Sequence, residues 1–308
     1  MKPFSSSDLI SALTSTLLNQ ATVLPSDVNA APPSRAEDRR ELVKGDLKAT
    51  ADLKHDGISD EEFWRRAAIK PFYSGKLSSV IRAREAHMLT KLGNPVELCT
   101  PDWDPGRGRL FREFLEDKGC ARNSRDLTRT INAARKMQSL KAKDPLNRSL
   151  IDYYVRPSDS VKSIHARLLS HLELGYVTTL HFMTDLGLAV VKPDRVLNRT
   201  AIRLGLIRSY AARGGEHVLP LTISGGDAEK LGGKDEFNWA LQSACQRLAE
   251  ETKTPMRTLD LMLVKMGQQP DEQFGYARTI CNDEPLCQVC EAQPMCAYGS
   301  HRRKRQKM

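Results

Sequence analysis

The segment "LLSHLELGYVTTLHFMTDLGLAVVKPDRVLNRTAIRLGLI", residues 168–207, decides how this 308-residue chain is read. A helical stripe closes near Leu172, a short turn holds Gly175, and a second helix is predicted from Tyr176 to about Leu186. After Gly187 comes an apolar run ending in "KPD", and a third helix is predicted from Arg195. Pro193 fixes its own backbone and favours a sharp helix entry, so Asp194 falls at or near the start of that helix. On these residues alone Asp194 reads as an N-cap.

Working outward, helix signals dominate. Ser5, Ser6 and Ser7 with Asp8 can cap a first helix through Leu9, Leu13, Leu17 and Leu18, and "LPSDVNAAPPSRAED" breaks it with three prolines. Residues 60–92 open with Asp60 as the predicted N-cap and are interrupted at Pro71 and Gly75, and "NPVELCTPDWDPGRG" reads as a loop. Further helices are expected over 124–139 and 159–172. Phe237, Leu241, Ala244, Cys245 and Leu248 form a late stripe, and "MRTLDLMLVKMG" is apolar nearly all round, which predicts a buried helix. No strand pattern or internal repeat of similar quality is present. The fold class expected is all-α, with 211–234 the least defined stretch.

Composition sets the class. A chain of this length buries a core without help, and 40% hydrophobic with 28% charged residues is ordinary for a soluble globular protein. No apolar run approaches the roughly 18 residues of a membrane span. Asp8 and the repeated Ser and Thr of "MKPFSSSDLISALTSTLLNQ" do not suit a signal peptide. Seven cysteines, an odd number with four near the end, argue for a reducing compartment, so a cytoplasmic location is expected, at the nucleoid if the source is bacterial. Of the net charge of +9, five charges (Arg302, Arg303, Lys304, Arg305 and Lys307) lie in the last seven residues and four remain for the body. Such a tail suits a polyanionic partner or simply a solubilising end.

The cysteines at 281, 287, 290 and 296 are separated by five, two and five residues in "CNDEPLCQVCEAQPMC". Four thiolates hold either a [4Fe–4S] cluster or Zn²⁺. Cys99, Cys120 and Cys245 are expected to be buried structural thiols.

These residues resemble the helix-hairpin-helix (HhH-GPD) superfamily of DNA glycosylases, which includes endonuclease III and the mismatch adenine glycosylases. "VVKPDRVLNR" is similar to the segment whose Asp is catalytic there, and the cysteine spacing resembles the iron-sulfur loop of endonuclease III, which has six, two and five. "DEEFWRRAAIKPFYSGKLSSVIRAREA" with "GCARNSRDLTRTINAARKM" is similar to the methyladenine glycosylase branch, where an aromatic helix and an "RN" turn line the base pocket. "LLNQATVLP" resembles a segment whose Gln fills the gap left by a flipped base.

The resemblance implies a two-lobed helical fold divided into an N-terminal helix and linker (1–58) that packs with the C-terminal lobe, a helical domain with base pocket and hairpin (59–207), a C-terminal lobe with the cysteine loop (208–300) and a basic tail (301–308). It implies a monomeric DNA N-glycosylase acting on double-stranded DNA, with Asp194 as the catalytic carboxylate. Trp64, Lys70, Phe72, Tyr73 and Tyr176 would line the base pocket, the aromatic ones being equally readable as core. Gln20, Gly175, Lys192 and Arg195 would meet DNA, with Gln20 readable also as an exposed helix end. Cys281, Cys287, Cys290 and Cys296 would hold [4Fe–4S], with Zn²⁺ as the alternative.

The chain departs from the family at three points. The hairpin retains one glycine of the usual two. Tyr176 or Val177 stands where strand-cutting members carry Lys, which implies a monofunctional enzyme unless Lys192 supplies the amine. Lys70 stands where the methyladenine branch has Glu, and a cation there would repel a cationic alkylated purine. The excised base is left open between repair substrates and the modified bases of phage genomes. A metal-stapled DNA-binding protein without activity is the competing reading.

Overall fold

The computed structural model describes residues 5–23, 34–73 and 78–306, and the side chains at 34, 35, 78, 79 and 303–306 lie outside that description. The tail charges from Arg303 onward, Gly75 and the three prolines of the first linker therefore fall outside it. Among the described residues helix predominates, with one two-stranded sheet. No described helix is long and apolar enough to cross a membrane.

The chain divides into two compact units, 54–188 and a discontinuous one made of residues up to Leu53 and from Ala189 onward. This corrects the boundary placed after 207. The helix after Asp194 belongs with the late helices because Leu197, Ala201, Ile202 and Leu204 are buried in one cluster with Leu241, Leu259 and Met262.

In unit 54–188, α3 (Asp60–Ile69), α4 (Ser78–Leu92), α5 (Arg109–Glu116), α6 (Ser124–Lys143), α7 (Leu150–Tyr154), α8 (Val161–Leu172) and α9 (Tyr176–Asp185) surround an aromatic centre. Phe63 stacks on Tyr154 at 5.3 Å and meets Phe182 edge-on at 5.2 Å. Ser59, not Asp60, caps α3, its hydroxyl accepting from the Glu62 amide. Asp60 instead accepts the Leu150 amide at the start of α7. The stretch read as a loop, 94–108, contains two 3-10 turns and buries Trp103 beside Phe114 of α5.

In the discontinuous unit, α1 (Ser6–Asn19) opens with a capping box between Ser5 and Asp8. A helix absent from the expectation, α2 (Ser34–Ala51), occupies what was read as linker. Its surface is charged and, among its described side chains, only Val43 is fully buried, so it carries no stripe. It is fixed by polar contacts, including Tyr276 Oη donating to Asp46 at 3.2 Å. Helix α10 (Arg195–Leu204) is followed by a hairpin of β1 (Ser209–Ala212) and β2 (Gly215–Val218), then α11 (Gly225–Leu231), α12 (Asp235–Thr252), α13 (Met256–Gly267) and α14 (Ala297–Gln306). The hairpin and α11 correct the expectation of no strand and an undefined 211–234. Both ends of the chain meet in this unit. The Ala277 and Arg278 amides donate to the Ala21 carbonyl, and the Glu291 amide donates to Thr16 Oγ1.

Candidate functional site

Asp194 is the N-cap of α10. Its Oδ1 accepts the amides of Val196 and Leu197, both at 2.9 Å, and Oδ2 lies 3.4 Å from Lys192 Nζ. Both side chains are 25% exposed, so the carboxylate is partly accessible while its Oδ1 is committed to the helix. The N-cap reading and a fixed, accessible carboxylate are therefore the same geometry. Arg195 is exposed beside it. Sequence reading missed three buried polar side chains nearby, namely Asn198, Gln242 and Asp260. The available signal was a lone Asp in the apolar "LDLMLVKMG". Burial raises the Asp260 carboxyl above the ordinary carboxylate value, and Arg257 and the Lys192 amide oppose that rise.

In the other unit, the α8–α9 turn places Glu173, not a glycine, in the left-handed region at φ 53°. Its carboxylate accepts from Lys136 Nζ at 2.9 Å and Asn132 Nδ2 at 3.1 Å, so the "INAAR" stretch anchors the hairpin. Gly175 is exposed with ordinary φ −69°, and an added Cβ would meet only Thr178 Oγ1 at 3.8 Å. Its own backbone shape does not require glycine. The half-buried Tyr176 rests its ring 4.3 Å from that of His165.

The expected pocket residues separate into two groups. Trp64 and Phe72 are core side chains. Trp64 donates to the Gly93 carbonyl at 3.0 Å while edging a cavity of about 640 Å³ with Arg65 and Lys141, and Phe72 packs 5.9 Å from Phe114. Lys70 and Tyr73 belong to a polar cluster. Lys70, buried, pairs with Asp185 and sits 5.1 Å over the Tyr73 ring, and Tyr73 donates to Glu85 at 2.8 Å and meets His181 edge-on. The Asp185 carboxylate offsets the Lys70 charge, which corrects the argument that Lys70 repels a cationic base. Gln20 is half-buried at the end of α1, with Oε1 held by Arg278 Nη2 at 3.0 Å. It is not a free helix end.

Cys281, Cys287, Cys290 and Cys296 all line one small cavity, with Arg203 and Met266 among its other walls. Arg203, buried, lies with Nη1 3.8 Å from Cys281 Sγ, bonds the Asn282 carbonyl and covers the Tyr298 ring at 4.9 Å. The Gly299 amide donates to Cys296 Sγ at 3.5 Å. Burial pushes the Cys290 thiol up to about 12 and Cys296 to about 11, against smaller opposing pulls from backbone amides. A soft metal centre, if held by these four sulfurs, would reverse that preference by its positive charge and leave thiolates. Convergence on one cavity, sulfur-only donors and an amide and a guanidinium beside the sulfurs all fit such a group.

Of the other cysteines, Cys120 and Cys245 are buried, whereas Cys99 is exposed and corrects the expectation. Cys120, His87 and Asp117 bring their donor atoms within 4.8 Å of one another. Lys91 lies 3.4 Å from the Asp117 oxygen that His87 already holds at 2.9 Å, and Arg84 bonds the Cys120 carbonyl. Asp117, held by His87 and facing Lys91, makes this a polar staple between α4 and the segment after α5. Gly119 permits it, since a Cβ there would stand 2.6 Å from the His87 ring. No family model, curated protein or solved structure gives a match to the chain.

Proposed function

We propose that the chain is a DNA N-glycosylase that flips a damaged, mismatched or modified base out of the duplex and hydrolyses its N-glycosidic bond. The observation that carries this reading is Asp194, set at a helix start by two backbone amides on one oxygen, with its side chain partly exposed. As the bond from C1′ to the base nitrogen breaks, its electron pair leaves with the base and the sugar becomes cationic. Asp194 Oδ2 opposes that charge or orients the water that adds to C1′, and the departing base takes up a proton. A base must leave the stack to be reached. Within unit 54–188, Lys70, Tyr73, Glu85 and His181 form a cluster of polar and aromatic groups of the kind that read a base. Lys192 and Arg195, on either side of Pro193 and Asp194, suit phosphate contact, and in its own unit the exposed backbone at Gly175 suits it separately.

The cysteine loop would hold [4Fe–4S], with Zn²⁺ as the alternative. When bound, that group would supply a staple that pins the loop, and no step of the hydrolysis needs it. Arg203 and the Gly299 amide hold the loop from the protein side. Visible absorption of the purified protein separates the two metals, because a zinc site is colourless.

The test is release of free base from duplexes carrying alkylated, deaminated, mismatched and hypermodified bases, with Asp194→Asn as control. Release by the wild type and its loss in the variant are expected. Equal DNA binding by both proteins with no release from any duplex would replace this reading with that of a binding protein. Processing of hypermodified bases alone would assign defence against phage in place of repair.

A further inference from the structure

Residues 191–194 belong to no helix or strand, yet the polar backbone of residues 191–193 is fully accounted for. Gln242 Oε1 accepts the Val191 amide at 2.9 Å, and its Nε2 donates to the Val191 carbonyl at 2.6 Å. Asp260 Oδ1 accepts the Lys192 amide at 2.6 Å. The Lys192 carbonyl accepts the Asp194 amide at 2.7 Å across a tight turn centred on Pro193, which has no amide hydrogen. Asn198 Nδ2 donates to the Pro193 carbonyl at 3.1 Å. The three side chains are buried and come from three separate helices, α12, α13 and α10. Arg257 Nη1 in turn holds the second Asp260 oxygen.

A connecting segment normally satisfies its backbone with water or its own turns. Here side chains 51 and 68 residues away do so, in a stretch that ends at the carboxylate. We propose that Gln242, Asp260 and Asn198 are positioning residues that clamp the backbone of residues 191–193 and so fix the place of the Asp194 carboxylate. The proposal rests on the glycosylase reading for its purpose, although the clamp itself can be measured without activity. Misplacement of a reacting group by about 1 Å costs on the order of 100-fold in rate, which makes such a clamp worth its three buried polar side chains.

Gln242→Leu removes both bonds to Val191. Gln242→Glu keeps an acceptor for the Val191 amide and removes the donor, and it serves if the first variant folds poorly. Asp260→Asn keeps the shape at Lys192. Hydrogen exchange read by NMR on the full chain should show much faster exchange at Val191 in Gln242→Leu and a smaller increase in Gln242→Glu, which keeps the acceptor for that amide. The Val196 and Leu197 amides, which report the position of Asp194 Oδ1, should lose protection with it, while those of residues 201–204 keep theirs. On whichever duplex the wild type processes, single-turnover base release should fall about 100-fold in Gln242→Leu and less in Gln242→Glu, at unchanged duplex affinity.

Unchanged protection at Val196 and Leu197 would overturn the proposal. So would a release rate that falls only in proportion to duplex affinity and folded fraction, since that marks a merely structural role. If the wild type releases no base from any duplex, the glycosylase reading fails, and the exchange data still decide whether the clamp exists.

Discussion

The turn at 173–175 and the turn at 192–194 each lead into a helix, but they are built from opposite materials. The first is local. Glu173 takes the left-handed position, the Thr179 amide donates to the Gly175 carbonyl, and two residues of α6 hold the Glu173 carboxylate from outside. The second is fixed by buried groups from three helices, with its amides and carbonyls in use up to Asp194. A local turn at the surface tolerates change. A turn specified by distant buried groups is held to one geometry, and here that geometry ends on a carboxylate.

The widest separation between the two turns should come from Asp194→Asn. Base release is expected to fall about 10²–10³-fold, while unfolding moves little because Asn is also a good N-cap. A large loss of stability with unchanged release would reduce Asp194 to a cap. Next, Gly175→Leu should weaken duplex binding by roughly tenfold while leaving the thermal midpoint nearly unchanged, as surface changes typically stay within about 0.5 kcal/mol. Gly175→Ala should do less to binding, because its Cβ meets only one side-chain oxygen at 3.8 Å. Equal binding by wild type and both variants would remove the hairpin from the DNA path.

A smaller effect is expected at Glu173. Glu173→Ala loses a half-exposed ion pair, a matter of about 0–1 kcal/mol, and keeps the left-handed strain. Glu173→Gly loses the same pair but relieves the strain, so it should melt above the Ala variant. The reverse order in calorimetry would show that the turn is not strained.

The smallest and most discriminating effect is in pH dependence, where the turns should differ in sign. Burial raises the Glu173 carboxyl, but bonds from Asn132 and Lys136 outweigh it and hold it below the ordinary value. Its stabilising contribution is complete above the unfolded pKa and is lost as pH falls through the lower folded value. Asp260, facing Arg257, Lys192 and Asp194, is raised by burial. The folded protein keeps that proton longer than the unfolded chain, so stability falls as pH rises from about 4 through the folded value. Melting curves from pH 3 to 8 should therefore show Glu173→Gln flattening the acid limb and Asp260→Asn removing a decline on the way up. The same slope change in both variants would contradict the assignment.

What the sequence made legible follows from local physics. The capping box at Ser5 and Asp8, the helix start at Arg195 and the buried stripe through Phe237 and Leu248 depend on residues a few positions apart, and each appears in the structure. Helix α2 was hidden because its polar surface gives no periodic signal and its anchor, Asp46 to Tyr276, spans 230 residues. Lys70 looked like a bare cation because Asp185 lies 115 residues away. Asp194 could be placed on a helix start from Pro193 alone. The groups that hold its approach could not, since nothing near Gln242 or Asp260 in the chain points to Val191 or Lys192.

The bonds from Ala21 and Thr16 to residues 277, 278 and 291 have a consequence for synthesis on the ribosome. The discontinuous unit cannot close until residues 277–291 have emerged, whereas residues 54–188 are complete long before. At about 5–20 residues per second, the first helix waits for its partners while the inserted unit has time to fold. A nascent chain stalled once residues 54–188 have all emerged from the ribosome, but before 277–291 have, should thus expose α1 to protease and protect the aromatic centre around Phe63.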